Sequence, residues 1–328
     1  HLFDKLQQNV CKQQEYGGKK YFCTLSAGYA AYPEDGGNYL ELFKRANYSL
    51  EYSKIMGKNR MTVFSRNILA DRERRLELME LLRESVERGF AGFSIHYQPQ
   101  ADTLSGRLCG AEALARWHCG KYGDVSPGEF IPLMEQSGLI VPFGQWILSH
   151  GMAQCLEWRR SRPDFQISVN LSYIQLSQGD FISFLRTALE ENSLDPSRLI
   201  MELTETYLAK AEEDTLRLIA QMKELGVKIA MDDFGVGYSS LFSLKSIPVD
   251  VVKIDRRFVK GITSEPFNAT FIRSITDLCH DVGRKVCLEG VETKEEYEAV
   301  RELGMEYIQG YYFGRPMSAR QFEDRLKE

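Results

Sequence analysis

FSIHYQPQADTLSGRLCGAEALARW, residues Phe93 to Trp117, decides the fold. Two strand-like runs, FSIHYQPQ and LCGAEALARW, are joined only by ADTLSGR, Ala101 to Arg107. A parallel crossover needs a dozen or more residues, usually a helix. This link is long enough only for a hairpin, so the first strand is expected to run antiparallel to its neighbours. Further apolar runs follow: FQISVNLS, LIMELTE, VKIAMDD, VDVVKID, KVCLEGVE and YIQGYYF. Helical stretches separate most of them, at Phe143 to Arg160, Asp180 to Asn192, Glu212 to Leu225, Asn268 to Val282 and Lys294 to Leu303. Strands alternating with helices imply a parallel sheet. Eight strands in about 240 residues fit a TIM barrel. The expected class is α/β: a modified (β/α)8 barrel with an antiparallel first strand, plus a small N-terminal α+β fragment.

The fragment precedes the barrel. Lys20 to Tyr32, KYFCTLSAGYAAY, reads as one strand, and PEDGG, Pro33 to Gly37, as a turn. Tyr39 to Met56 carries Leu42, Ala46, Leu50 and Ile55 at roughly helical spacing, Gly57 stops it, and Met61 to Phe64 is a short strand. Strand, helix and strand are too few elements to bury a core alone. Residues 1–66 therefore read as the end of a domain. Asp71 to Arg88 is a charged amphipathic helix with Leu76, Met79, Leu82 and Val86 on one face. It makes residues 67–88 a connector and 89–328 the barrel domain.

Composition narrows the function. The chain has 328 residues, 41 Lys plus Arg against 46 Asp plus Glu, and a net charge of −5. That balance argues against a nucleic-acid polymer as partner but allows a local basic pocket. The seven cysteines are scattered without a CxxC pair, as expected of reduced thiols in a cytoplasmic protein. No apolar run approaches the roughly 20 residues that cross a bilayer, so no membrane contact is expected of this stretch. A chain opening on His1 reads as a piece of something longer, with any membrane anchor or sensor expected in the remainder.

The strands are apolar until late and then carry polar groups. Glu112 lies on strand two, Asn170 on three, and Glu202 with Glu205 on four. Strand five ends in Asp232 and Asp233, six in Lys253 and Asp255, seven in Glu289 and Glu292, and eight in Gln309. Apart from the earlier Glu112, these are C-terminal strand ends, which converge on the rim where barrel active sites sit. A single carboxylate at a strand end is ordinarily a helix cap. Seven strands each delivering a polar group to one rim form a different pattern. Packing those carboxylates together without cations costs several kcal/mol per buried charge. Carboxylate and amide oxygens are the ligand set of Mg²⁺ or Mn²⁺. Zinc is disfavoured, because His and Cys show no ligand spacing. Lys253 among these acids is either a structural ion pair or a cation that orients water or offsets phosphate charge.

These residues resemble a known family. Glu112-Ala113-Leu114 matches the motif that names the EAL cyclic di-GMP phosphodiesterases. SVNLS (168–172), ELTE (202–205), DDFGVGYSS (232–240), KID (253–255), EGVET (289–293) and QGYYFGRP (309–316) follow in that family's order. The stretch LSAGYAAYPEDG with ANYSLEYSKIMGKNR resembles the closing third of a GGDEF (diguanylate cyclase) domain, whose signature loop is absent from the sequence. No cyclase activity is expected from it.

The resemblance implies cleavage of cyclic di-GMP to linear pGpG with two divalent ions, Mg²⁺ or Mn²⁺. It places Glu112, Asn170, Glu202 and Asp232 on one ion and Asp232, Asp233 and Glu289 on the other. Lys253 and Gln309 would position the water, Glu289 would take its proton, and Glu292 would support the site from behind. Arg116 would reach a substrate phosphate, and Gln98 and Glu135 the guanine ends. Glu205 and Asp255 would anchor the loop after Asp233, with Gly235 and Gly237 letting it fold tightly. That loop implies a homodimer through the barrel domain. Two departures stand out. Val236 replaces the family's usual Thr, and Leu288 stands where a small residue is common. Three rival readings remain. Asp233-Phe234-Gly235 is also a kinase tripeptide, but its companion motifs are missing. A non-enzymatic cyclic di-GMP receptor and a pure interaction module are the others, and filled ligand positions favour the enzyme.

Overall fold

The structure, a computed structural model, describes residues 2–177, 180–209, 211–236, 244 and 247–327. Two compact units divide between Leu81 and Leu82, inside the helix Arg66–Glu87.

In the first unit, a helix Leu2–Val10 leads to an antiparallel hairpin, Gln13–Tyr16 with Lys19–Phe22. Gly17 and Gly18 turn it at φ 60° and 74°, as a tight two-residue turn requires. Ala27–Tyr29 then pairs in parallel with Met61–Val63. The single strand expected over Lys20–Tyr32 is therefore two strands in different sheets. The second half needs its small residues: a Cβ on Gly28 would lie 2.0 Å from Ala46 O of the helix Tyr39–Ile55. Asn38 starts that helix by accepting the Glu41 N–H at 3.0 Å. The helix Arg66–Glu87 begins five residues before the expected Asp71, and its buried face differs from the one read. Ile68, Leu78 and Leu82 are buried, whereas Leu76 is 51 % exposed.

The second unit is a closed eight-stranded barrel. Its strands are β1 (Phe93–Asp102), β2 (Leu108–Cys119), β3 (Gln166–Asn170), β4 (Leu199–Thr204), β5 (Lys228–Phe234), β6 (Val251–Ile254), β7 (Lys285–Leu288) and β8 (Tyr307–Gln309). β1 pairs antiparallel with both β2 and β8, and the remaining neighbours are parallel. The hairpin closes because Asp102 Oδ1 accepts from Ser105 N and Oγ, and Gly106 adopts φ 68°. A short strand, Gly123–Val125, folds back on the end of β2.

Helices cover the barrel at Ile140–Arg159, Phe181–Asn192, Glu213–Glu224, Pro266–Asp281 and Lys294–Val300. One helix was not anticipated, Pro127–Ser137, capped by Ser126 and carrying Pro at its first position. Phe93, Trp117, Phe130 and Phe143 pack beside it, with Phe93 stacked on Trp117 at 5.6 Å. Inside the barrel, Ile200, Ala230, Val251 and Cys287 form an apolar middle, with Tyr307 against it. Polar side chains fill the levels above and below.

Candidate active site

Side chains of a barrel interior stack in layers contributed by alternate strands. Immediately above the apolar middle, the even strands supply Glu112, Glu202, Lys253 and Gln309. All four are buried. Lys253 Nζ sits 2.6 Å from Glu202 Oε2 and 3.4 Å from Glu112 Oε2. Gln309 Nε2 donates to the same Glu112 oxygen at 2.7 Å, and Asn170 Nδ2 donates to Glu112 Oε1 at 2.7 Å. The next level comes from odd strands. Asp232 Oδ1 and Glu289 Oε1 approach Lys253 Nζ to 3.3 and 2.7 Å. Four carboxylates thus converge on one ammonium.

Adjacent residues of a regular strand point to opposite faces. β5 departs from this regularity between Met231 and Phe234, with Asp233 at φ 58°. Asp tolerates that left-handed conformation better than most residues. Gly235 follows at φ 94°, and a Cβ there would lie 2.5 Å from the Phe258 ring. Its N–H donates to Glu205 Oε2 at 2.9 Å, and Glu205 is buried. Gly237 to Ser240, the rest of the motif, lie outside the described residues.

Charge sets the protonation of the cluster. Burial pushes the Glu202 carboxyl well above its ordinary range, and Glu112 and Asp232 add to the rise against the pull of Lys253. Burial likewise carries Glu289 up to about 7. Glu112 goes the other way. Burial would raise it, but Lys253 and the hydrogen bonds from Gln309 and Asn170 bring it below the usual range. Burial would lower Lys253, but Asp232, Glu112, Glu202 and Glu289 hold it well above its ordinary value. Asp233 is raised by burial, then by Asp232 and Asp255.

The donor set suits hard divalent cations: carboxylates with an amide, grouped at one mouth. Glu202 Oε1 is buried with no hydrogen-bond donor, and Asp232 Oδ1, equally buried, has only the Lys253 ammonium at 3.3 Å, outside hydrogen-bond geometry. Such oxygens are costly unless a partner occupies them. Among the described residues, no three acidic, His or Cys side chains are already gathered around a metal position. The carboxylates instead turn toward Lys253, so loading would require them to turn outward.

The other residues singled out in the sequence fall at different distances from this centre. Arg116 is half-buried on β2 and donates to Ala115 O at 2.8 Å; burial lowers its pKa, and Glu112 partly restores it. Gln98 lies directly opposite Glu112 across the β1–β2 pair. Glu135, on the helix Pro127–Ser137, accepts from Ser172 Oγ at 2.6 Å. Asp255 caps the turn Arg256–Phe258 by accepting from Arg257 N, and its own N–H donates to Phe234 O. Glu292 is exposed before the helix Lys294–Val300, and its N–H donates to Glu296; it does not join the Lys253 cluster. Val236 is 38 % exposed. One residue escaped the sequence reading. Gln100, buried on β1, donates to Gln309 Oε1 at 3.0 Å and so fixes which way the Gln309 amide faces.

A family model described as the EAL domain matches residues 79–316. The chain belongs to the EAL domain family. This EAL chain is 35 % identical over 321 residues to the bifunctional diguanylate cyclase/cyclic di-GMP phosphodiesterase MucR of Pseudomonas aeruginosa, covering 98 % of this chain and 47 % of MucR. It is 32 % identical over 330 residues to the cyclic di-GMP phosphodiesterase NbdA of the same organism, covering 99 % and 42 %. It thus spans about half the length of these curated relatives. The solved PaMucR phosphodiesterase in complex with c-di-GMP superposes with a TM-score of 0.69 at 38 % identity, covering 75 % of this EAL chain and 99 % of that one. No helix among its described residues is long and apolar enough to cross a membrane.

Proposed function

We propose that this EAL domain is a metal-dependent phosphodiesterase that hydrolyses cyclic di-GMP to linear pGpG. The observation that carries the reading is the convergence of Glu112, Glu202, Asp232 and Glu289 on Lys253, with the buried Glu202 Oε1 left without a donor. The names of MucR and NbdA supply the substrate class. Glu112, Asn170, Glu202, Asp232, Asp233 and Glu289 would hold two divalent ions. When bound, such ions lower the pKa of a water and neutralise charge on a phosphate.

The chain's own residues account for the rest. Water adds to one phosphorus, the bond from phosphorus to the 3′ oxygen breaks, and that oxygen leaves as a hydroxyl. Glu289, raised to about 7, is suited to hold a proton near neutral pH. Lys253, buried and fixed as an ammonium, offsets the negative charge that accumulates at phosphorus. Gln309 and Asn170 hold the Glu112 carboxylate in one orientation. Arg116, four residues beyond Glu112 on β2, would reach a second phosphate with its long side chain. Gln98, opposite Glu112 across the β1–β2 pair, and Glu135, bonded to Ser172 beyond β3, would meet the guanine ends.

The N-terminal unit falls within the alignment to MucR, a bifunctional protein, which supports reading residues 1–66 as the end of a GGDEF domain. A homodimer through the barrel and a cytoplasmic setting belong to the same proposal.

The test is hydrolysis of cyclic di-GMP by the purified chain in Mg²⁺ and in Mn²⁺, with a chelator control and with Glu112→Ala. Chelator-sensitive pGpG, absent in the variant, is expected. Tight binding of intact cyclic di-GMP without any product would overturn the enzyme reading in favour of a receptor.

A further inference from the structure

The opposite mouth of the barrel, where the parallel strands begin, is built from different chemistry. Gln166 opens β3, Lys228 opens β5, Lys285 opens β7 and Tyr307 opens β8. Lys228 Nζ donates to Gln166 Oε1 at 2.7 Å, and Gln166 Nε2 donates to the Tyr307 hydroxyl at 3.4 Å. Lys285 Nζ donates to the same hydroxyl at 3.2 Å. These four side chains form one hydrogen-bonded arc. Gln166, its centre, is 7 % exposed and cannot turn away to water.

The arc has more donors than acceptors. Gln166 Oε1 is taken by Lys228, and the Tyr307 oxygen is approached by two N–H donors. Each ammonium carries three donors, and the phenol keeps its own proton to donate. Among the described residues, neither lysine has a carboxylate within 4 Å. The acids nearby are committed elsewhere. Asp250 takes Lys223 and the Ile229 N–H, and Glu306 takes His280 and the Val286 N–H. Asp195 holds Arg198 and Ser197, and Asp102 holds Ser105. Burial, then the closeness of Lys285 and Arg198, draws the Lys228 ammonium below its ordinary range against the pull of Asp250 and Asp195, whereas the Tyr307 hydroxyl holds Lys285 above its own. Lys228 is half-buried and Lys285 exposed, and both ammonium groups converge on the Gln166–Tyr307 pair with no carboxylate in contact among the described residues.

We propose that this mouth is a binding site for a phosphate dianion, held by Lys228, Lys285 and the Tyr307 hydroxyl, with Gln166 fixing the geometry. A tetrahedral oxyanion brings several acceptors and a negative charge to this excess of donors. The site lies across the apolar middle of the barrel from the acidic rim, so its occupant does not compete with a substrate at that rim. The inference does not depend on the proposed reaction.

The full chain, freed of metal with EDTA, is unfolded thermally while inorganic phosphate replaces chloride at constant ionic strength. A saturable rise in Tm is expected, roughly 3–6 °C at ten times the half-saturating concentration. The rise should disappear in Lys228→Met/Lys285→Met and shrink in Tyr307→Phe. Should the double variant not fold, the single variants Lys228→Gln and Lys285→Gln are read by phosphorus NMR line width. GMP serves as the monoester arm. An equal response locates a site for a phosphate terminus, and a response to inorganic phosphate alone keeps a site for the free ion. A rise that is the same in parent and variants, or that never saturates, means an adventitious ion only and overturns the proposal. Displacement of phosphate by cyclic di-GMP would also overturn it, since the anion would then lie at the acidic rim.

Discussion

Replacing Lys253 with Met tests the central arrangement. Met keeps the length and the apolar stem and removes the charge. Lys253 is 2 % exposed and faces Glu202 at 2.6 Å, Glu289 at 2.7 Å, Asp232 at 3.3 Å and Glu112 at 3.4 Å. Removing one partner of a buried ion pair costs about 3–5 kcal/mol, because the other charge is stranded. Here the stranded groups have a partial escape. Glu202 and Glu289 are already held above the ordinary carboxylate range and can take up protons. The lower end, about 3 kcal/mol, is therefore expected at neutral pH without metal. For a unit of this size that lowers Tm by roughly 6–12 °C. A divalent cation restores the lost positive charge, so Mn²⁺ should stabilise the variant more than the parent and narrow the gap. Hydrolysis should remain absent even with the ion bound. The assay is thermal unfolding of both proteins in EDTA and across a Mn²⁺ titration. A variant within 1 °C of the parent in EDTA, or an equal Mn²⁺ response in both, would refute the counter-ion reasoning.

Three further outcomes follow from the geometry. Gln100→Leu leaves the buried Gln309 carbonyl oxygen without its donor at 3.0 Å, a loss of about 1–3 kcal/mol. Turnover of cyclic di-GMP should fall roughly 5- to 100-fold, and a change within twofold would show that the Gln309 amide needs no such support. Gly235→Ala forces a side chain into φ 94° and against Phe258 at 2.5 Å. Denaturant unfolding should show a loss of about 1–3 kcal/mol. Gly235→Ala/Phe258→Leu should recover only part of it, since the dihedral strain stays; full recovery would assign the whole cost to the clash. The last outcome concerns pH. Glu289 is raised from 4.5 to about 7, so the folded metal-free protein binds more protons than the unfolded chain between those values. Stability contributed by this group is therefore present at low pH and declines as pH rises toward about 7. Glu202 acts in the same direction and Glu112 in the opposite one. Metal-free stability that rises steadily from pH 5 to 7.5 would contradict the assignment.

The barrel is legible in the sequence because buried strands are short apolar runs, and because ADTLSGR is too short for a crossover. The rim is legible because Glu202, Asp232, Lys253 and Glu289 interrupt or end such runs. Other features depend on tertiary placement. Gln100 is one polar residue among several on β1, and its role arises only when β8 closes beside it, Gln309 opposite Gln100. The paired carboxylates Asp232 and Asp233 look alike in sequence, but the irregular backbone of β5 gives them different surroundings, a half-buried Asp232 against Lys253 and a more exposed Asp233. The helix Pro127–Ser137 was hidden by Pro127, Gly128 and Pro132, although Ser126-Pro127 is a helix-start signal. Two residues of spacing misled the reading of the helix Arg66–Glu87, where Leu78 rather than Leu76 is buried. Arc formation at the lower mouth left no motif at all, since its members open four separate strands.

Closure of β1 against β8 has a consequence in time. Gln100 and Gln309 are 209 residues apart in the chain. At ribosomal rates of about 5–20 residues per second, roughly 10–40 s separate the synthesis of these two partners. Throughout that interval β1 presents an unpaired edge, and Glu112 lacks the Gln309 amide. A chain interrupted before Tyr307 therefore keeps most of the acidic residues yet has no closed barrel to hold them, and its open edge is available for pairing with other nascent chains.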